Sequence, residues 1–182
     1  MGDILSDGRA VFSPWRCVAR LRTACGCCVR SGLALGPVLL VFVFMSEAKV
    51  RGDFLRALEE LDGTVGRDLP KKLREMVRLR CSHINGCSYS VRLHSDSLGA
   101  HGARVDLISA LARPVKLMRD DLVTPPEAAA LRLAEILTDY PRGLEIEARD
   151  EAGKYFNAKQ LGSLVEVVAV INAWNRVTRG SE

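Results

Sequence analysis

The chain lacks an apolar run long enough to cross a membrane, lacks regular cysteine spacing, and has almost no charge excess in its main body. Each shortage removes a class of function. The apolar stretch "LALGPVLLVFVF" at residues 33–44 holds twelve residues, and as a helix it would reach only ~18 Å against a hydrocarbon core of ~30 Å. Of six cysteines, Cys17, Cys25, Cys27 and Cys28 sit near the start and only Cys81 and Cys87 in the remainder. That is not the framework of a disulfide-stapled secreted domain, so a cytoplasmic, thiol-bearing protein is expected. The "CGCC" cluster has no histidine nearby and lacks the paired spacing of a zinc site, so no metal or other cofactor is expected. The net charge of +4 is concentrated in residues 1–45, which carry five Arg against two Asp and leave 21 basic and 20 acidic residues from Ser46 onward. A near-neutral body offers no electrostatic footprint for nucleic acid.

What is present is ordinary globular material: 182 residues, 48% hydrophobic and 26% charged, enough for one domain with a real core. Residues 1–45 carry none of the periodic signals of the rest, and Glu47 interrupts the small-residue site that a secretory signal would need around Ser46 and Ala48. We therefore expect residues 1–45 to be a leader outside the fold, with Met45 as the working start, and residues 46–182 to form the domain.

From Ser46 onward the signals are helical. "DLPKKLREMVRLRCSHI" offers Asp68 as an N-cap, Pro70 in the first turn, and Leu69, Leu73, Met76, Val77 and Leu79 or Arg80 at helical spacing. Asn85-Gly86 should end that helix, because its flanks do not alternate as a hairpin's would. "TPPEAAALRLAEILTDY" opens with Thr124, Pro125 and Glu127, a capping box. "NAKQLGSLVEVVAVINAWNRV" repeats the device with Asn157 and Gln160, and places Leu161, Leu164, Val165, Val168 and Ile171 or Asn172 along one stripe. No strand pattern competes, so the fold class is all-α. The apolar helices at 124–140 and 157–179 offer more hydrophobic face than one domain of this size needs, which points to a homo-oligomer.

The segment "NGCSYSVRLH" at residues 85–94 carries the chemistry. If a helix begins after Gly86, then Cys87, Ser90 and His94 lie at i, i+3 and i+7 on one face. A cysteine at the start of a helix has its thiolate favoured by the unpaired N–H groups there. Glu75 lies twelve residues before Cys87, and a helical hairpin turning at Asn85-Gly86 would return it to the same neighbourhood. His83 and His101 have no comparable setting and read as surface or turn residues, and Cys81 reads as a small buried hydrophobe.

The stretch "LPKKLREMVRLRCSHINGCSYSVRLHSDSLGAHG" resembles the core of the carboxymuconolactone decarboxylase and alkylhydroperoxidase AhpD-like family. That family's signature is a Glu, a Cys-x-x-Cys twelve residues on, and a His four after the second Cys. Glu75, Cys87, Ser90 and His94 fall on those positions, and "INAWNR" at 171–176 resembles the end of the family's last helix, so the likeness spans Ser46 to Arg179. The resemblance implies an AhpD-like helical bundle assembled as a homotrimer or homohexamer. It also implies peroxiredoxin-type antioxidant activity: a hydroperoxide is reduced by the cysteine pair and the disulfide is reopened by an external dithiol. Glu and His, through a water, help deprotonate the second cysteine.

Ser90 occupies the position of that attacking cysteine, and a hydroxyl neither becomes a sulfenic acid nor forms a disulfide. The two-cysteine cycle cannot run. Three readings follow. Cys87 can act as the only peroxidatic thiol, resolved by an external thiol or by Cys81. Glu75 and His94 can serve a decarboxylase-like lyase on a small carboxylated substrate held by Arg78, Arg80 or Arg92. Or the chain can be a non-catalytic, ligand-binding member of the family.

Overall fold

The computed structural model describes residues 49–139 and 143–181, all helix, turn or coil with no strand among them. The leader expected at residues 1–45 lies outside the described residues. In chain order the helices are α1 (Gly52–Asp62), α2 (Lys71–Ile84), α3 (Ser88–Ala100), α4 (Val105–Ala110), α5 (Pro125–Asp139), α6 (Glu145–Ala152) and α7 (Ala158–Gly180), with a 3-10 turn at Val115–Leu117. None of the described helices is long and apolar enough to cross a membrane.

Helix α2 is the centre of the fold and packs against α3, α5 and α7. Its periodicity explains why. Leu73, Met76, Val77, Leu79, Arg80 and Cys81 are all buried, while Lys71 and Lys72 are exposed and Arg74, Glu75 and Arg78 lie part-way between. Met76, Val77 and Leu79 meet Ala130, Leu131 and Ala134 of α5 and Leu164, Val167 and Ile171 of α7 in one continuous apolar cluster. Burial of side chains of this size stabilises by roughly 1.5–3 kcal/mol each.

The helix ends follow local chemistry. At α7, Asn157 Oδ1 accepts from the backbone N–H groups of Lys159 and Gln160, while Gln160 Oε1 accepts from the Asn157 N–H. At α5, the Glu127 carboxylate accepts from both the backbone N–H and the hydroxyl of Thr124. Helix α2 begins differently from the expectation. Pro70 takes the N-cap position, and no side chain caps the helix. Asp68 instead accepts a hydrogen bond from Ser163 Oγ at 3.3 Å, tying the loop to α7. The stripe expected on α7 is also displaced: Val165 is exposed, while Val167, Val170 and Trp174 are buried with Leu164, Val168 and Ile171. Two apolar neighbours inside a 23-residue helix that is flanked on more than one side defeat a single-stripe reading.

Two glycines are required by the path of the chain. Gly66 has φ +70° between α1 and α2, and a Cβ there would collide with Val167 and Arg74. Gly86 has φ +63°, the left-handed turn that ends α2 and starts α3.

On the face toward α5, Arg80 Nε donates to Glu135 Oε1 at 2.8 Å, and its Nη1 donates to the carbonyls of Leu111 and Ala112. Glu135 Oε1 also accepts from the Val115 N–H at 2.7 Å. Both side chains are buried, so removing one partner strands the other's charge. Glu135→Ala should destabilise the protein by roughly 3–5 kcal/mol in urea unfolding. The double variant Arg80→Met/Glu135→Leu should recover most of that loss, because it leaves no buried charge behind.

Candidate functional site

The turn at Asn85-Gly86 folds α3 back along α2 and brings Glu75 and His94 together. Glu75 lies on the first turns of α2 and His94 in the second turn of α3, and Glu75 Oε2 stands 2.9 Å from His94 Nδ1. Cys87 is the N-cap of α3, with φ −87° and ψ 96°, one position earlier than a first-turn residue. Its Sγ–H donates to Ser90 Oγ at 3.2 Å. Cys87, Ser90 and His94 all lie on the buried face of α3, with Cys87 and Ser90 at 0% exposure and His94 at 3%. The four residues singled out by spacing therefore form two hydrogen-bonded pairs, joined through the single helical turn that separates Ser90 from His94.

Electrostatics settle the direction of the first pair. Burial alone would raise the Glu75 carboxyl, but the hydrogen bond and charge of His94, together with Arg78 and Ser97, overcome it and hold the group at about 2. An ionised carboxylate only accepts, so His94 Nδ1 carries the hydrogen and donates it. In the neutral ring so oriented, Nε2 is the nitrogen that can accept a proton.

Glu75 is also held from its other oxygen. Oε1 accepts from Arg78 Nη1 at 3.0 Å, and Arg78 Nη2 donates to Asp62 Oδ1 at 2.9 Å. Arg78 is thus not available to hold a substrate carboxylate. Nor is Arg80, which is committed to Glu135. Arg92 is exposed on α3. The role of Asp62 escaped the sequence: the i,i+3 spacing of Glu75 and Arg78 was a readable ion-pair signal, but Asp62, at the end of α1, meets Arg78 only through the tertiary fold.

Among the described residues, the other thiol and the other histidines lie elsewhere. Cys81 is completely buried, its Sγ accepts from Thr138 Oγ1 at 3.2 Å, and burial pushes its thiol up to about 12. Both Cys81 and Cys87 are free thiols. His101 caps the end of α3, with Nδ1 2.7 Å from the Ser97 carbonyl. His83 is half-buried, and burial and the nearby Arg80 charge lower its imidazole below the usual range. Among the described residues, no group of three or more His, Cys, Asp or Glu side chains is arranged to hold a metal ion. Two surface clefts, one between α2, α4 and the start of α5 and one beside α6, are lined by none of the four site residues.

The low value of Glu75 has a consequence for stability. A carboxyl at about 2 in the fold against 4.5 in its ordinary state contributes stability that is complete above the higher value and is lost as pH falls from about 4.5 through 2. Unfolding measured by circular dichroism should show a steeper loss between pH 5 and 2 for the parent than for Glu75→Gln, which has no proton to take up at that position. Identical slopes would mean that Glu75 is not held ionised by its partners.

The comparisons with known proteins fit this arrangement. Residues 52–136, which contain all four side chains, match the model of the carboxymuconolactone decarboxylase family. The uncharacterized protein YdfG of Bacillus subtilis is 28% identical over 106 residues, which is 58% of this chain and 70% of that protein. Among solved structures, an Agrobacterium tumefaciens protein of unknown function, described as a candidate antioxidant defence protein AhpD, superposes with a TM-score of 0.66 at 22% identity. That match covers 72% of this chain and 89% of the other. An uncharacterized peroxidase-related protein from Silicibacter sp. TM1040 gives a TM-score of 0.64 at 20% identity, over 72% of this chain and 69% of that one. At such identities the structural likeness speaks for the fold, which is the AhpD-like helical fold, while residues 52–136, the segment that bears the motif, are similar to the carboxymuconolactone decarboxylase family.

Proposed function

We propose that the protein is a thiol-dependent hydroperoxidase in which Cys87 is the redox-active sulfur and Ser90, His94 and Glu75 handle its proton. The observation that carries this reading is the contact between Cys87 Sγ and Ser90 Oγ, on the helix face that also presents the Glu75–His94 pair. The thiol proton is already directed at a hydroxyl, and the imidazole one turn further on is oriented by an ionised carboxylate. An imidazole one helical turn from the hydroxyl and fixed in one tautomer suits the part of a general base.

The chemistry balances without a second cysteine. The Cys87 thiolate attacks one peroxide oxygen, the O–O bond breaks, and the alcohol or water leaves with the proton that the thiol gave up. Sulfur is oxidised by two electrons to the sulfenic acid. An external dithiol then attacks that sulfur and releases water, and its second thiol displaces Cys87 from the mixed disulfide. Cys81 is a poor resolving thiol here, because it stays protonated and its sulfur is engaged by Thr138. The full burial of Cys87 and Ser90 favours the smallest hydroperoxides over bulky lipid ones.

The lyase reading needs a cation beside the dyad for the substrate carboxylate; Arg78 and Arg80 are already engaged by protein carboxylates, and Arg92 is exposed on α3, whereas His94 is on its buried face. Assembly into a trimer or hexamer belongs to the same proposal. Phe54 and Leu61 of α1 and Val165 of α7 are large apolar side chains left exposed, and association would cover such surface.

The test is chemical. On one equivalent of hydrogen peroxide, dimedone should label Cys87 as a sulfenic acid and leave Cys81 unlabelled, as read by peptide mass spectrometry. His94→Ala should slow the labelling by ~100-fold, the usual worth of general base help. A Cys87 that stays unlabelled while the protein remains folded would end the peroxidase reading and leave the non-catalytic one.

A further inference from the structure

The charged line that ends at His94 is longer than the proposed chemistry needs. Asp62, Arg78, Glu75 and His94 follow one another through contacts of 2.9, 3.0 and 2.9 Å. Side-chain exposure is 16% at Asp62, 14% at Arg78, 12% at Glu75 and 4% at His94, so the line runs from a partly wetted end to a buried imidazole. One carboxylate would orient a histidine. Here that carboxylate is clamped by a guanidinium, and the guanidinium is in turn held by a second carboxylate from another helix.

We propose that Arg78 and Asp62 are positioning residues that set how strongly Glu75 accepts the hydrogen of His94, with opposite effects. The two arms of the Arg78 fork reach different carboxylates, Nη1 to Glu75 and Nη2 to Asp62. This fixes the Glu75 carboxylate, so that Oε1 is occupied and only Oε2 faces the imidazole. Arg78 also draws electron density from Glu75 and weakens it as an acceptor. Asp62 counteracts Arg78 by partly neutralising the guanidinium. At these distances, and with the side chains this far buried, the charges are poorly screened and changes at one end reach the other.

The other polar groups of α2, α3 and α4 do not supply such a control. On α3 itself, Cys87 and Ser90 hydrogen-bond to each other, and Ser97 brings Glu75 a hydrogen bond but no charge. From α4, Asp106 is held at the surface by Arg104. Further along α2, the Arg80 charge points to Glu135 on the α5 side. Asp62 also joins the end of α1 to the site, so α1, which carries none of the family signature, contributes to the chemistry.

The inference rests on the proposed function for its catalytic meaning, but its test has a readout of its own. The protein has three histidines, and the Nδ1–H proton of His94, held against a carboxylate in a buried site, is observable by proton NMR as a far-downfield line. Arg78→Met removes the cation and makes Glu75 the stronger acceptor, so the line should move further downfield. Asp62→Asn keeps the shape and removes the counter-charge, leaving Arg78 to act fully on Glu75, so the line should move upfield. Arg78→Lys, which restores a charge without the fork, should return the line toward its parent position. A structural role alone would weaken the contact in both variants and shift the line the same way. Equal-sign shifts, or no shift in the milder Asp62→Asn variant, would overturn the proposal even if Arg78→Met fails to fold.

Rates of Cys87 oxidation by hydrogen peroxide complete the experiment. Asp62→Asn should slow it, by less than the ~100-fold expected for removing His94 itself, whereas Arg78→Met, which makes Glu75 the stronger acceptor, should not. Opposite NMR shifts with unchanged or absent oxidation would keep the tuning and remove the peroxidase role built on it.

Discussion

The hydrogen bond between Glu75 and His94 is the contact on which the reading of this molecule depends. It joins α2 to α3 across a turn made possible by the positive φ of Gly86, and it is internal to the protein, needing no ligand to form. Everything near it follows from placing an ionised carboxylate in a mostly buried position. Such a group is costly to desolvate unless its oxygens are satisfied, and here Oε2 has the imidazole while Oε1 has Arg78. Arg78 then needs a second acceptor, which Asp62 provides. A histidine held in one tautomer, an occupied guanidinium and an anchored α1 are consequences of one buried charge.

Helix α2 carries two such arrangements on different faces. Toward α3 it presents Glu75 and Arg78. Toward α5 it presents Arg80, paired with Glu135, which also holds the Val115 N–H and so pins the 3-10 turn. Between them lies the apolar core of Met76, Val77 and Leu79. The end of the same helix is bound by amides and hydroxyls rather than charges: Asn85 Nδ2 donates to Asn172 Oδ1, Asn172 Nδ2 to Thr138 Oγ1, and Thr138 Oγ1 to Cys81 Sγ. Polar links of this kind fix the register of α2 against α5 and α7 more narrowly than apolar packing does, since each has a direction as well as a distance. A site whose two halves sit on α2 and α3 benefits from that fixed register.

Much of this was legible in the sequence, and the failures have physical causes. The capping boxes at Thr124 and Asn157, the stop at Asn85-Gly86 and the core residues of α2 could be read because each depends on neighbours within a turn or two. Glu75, Cys87, Ser90 and His94 could be singled out because their spacing survives any change in the rest of the chain. The short helices α4 and α6 carry too few residues for a periodic signal. Asp68 looked like an N-cap because Asp before a Pro-bearing first turn so often is one, but Ser163 of α7, distant in sequence, offered it another partner. Val165 was misplaced on α7 because a long helix among several neighbours buries more than one stripe. The fates of Arg78 and Arg80 were also hidden: a helical arginine usually faces water, and only the fold supplies Asp62 and Glu135 as buried partners.

The central claim is that Glu75, Cys87, Ser90 and His94 form one working pocket in which only an oxygen at position 90 stands in for the sulfur of the family's cysteine pair. Cys87 Sγ lies 3.2 Å from Ser90 Oγ, so a sulfur placed there is within reach of disulfide formation after a small adjustment. The Ser90→Cys variant is therefore the most direct measurement, followed by intact mass and by peroxide consumption with dihydrolipoamide as reductant. The account predicts a disulfide between Cys87 and the introduced thiol after one equivalent of hydrogen peroxide, and sustained turnover above the parent when the dithiol is present. A folded variant that forms no such disulfide and consumes no more peroxide than the parent would contradict it.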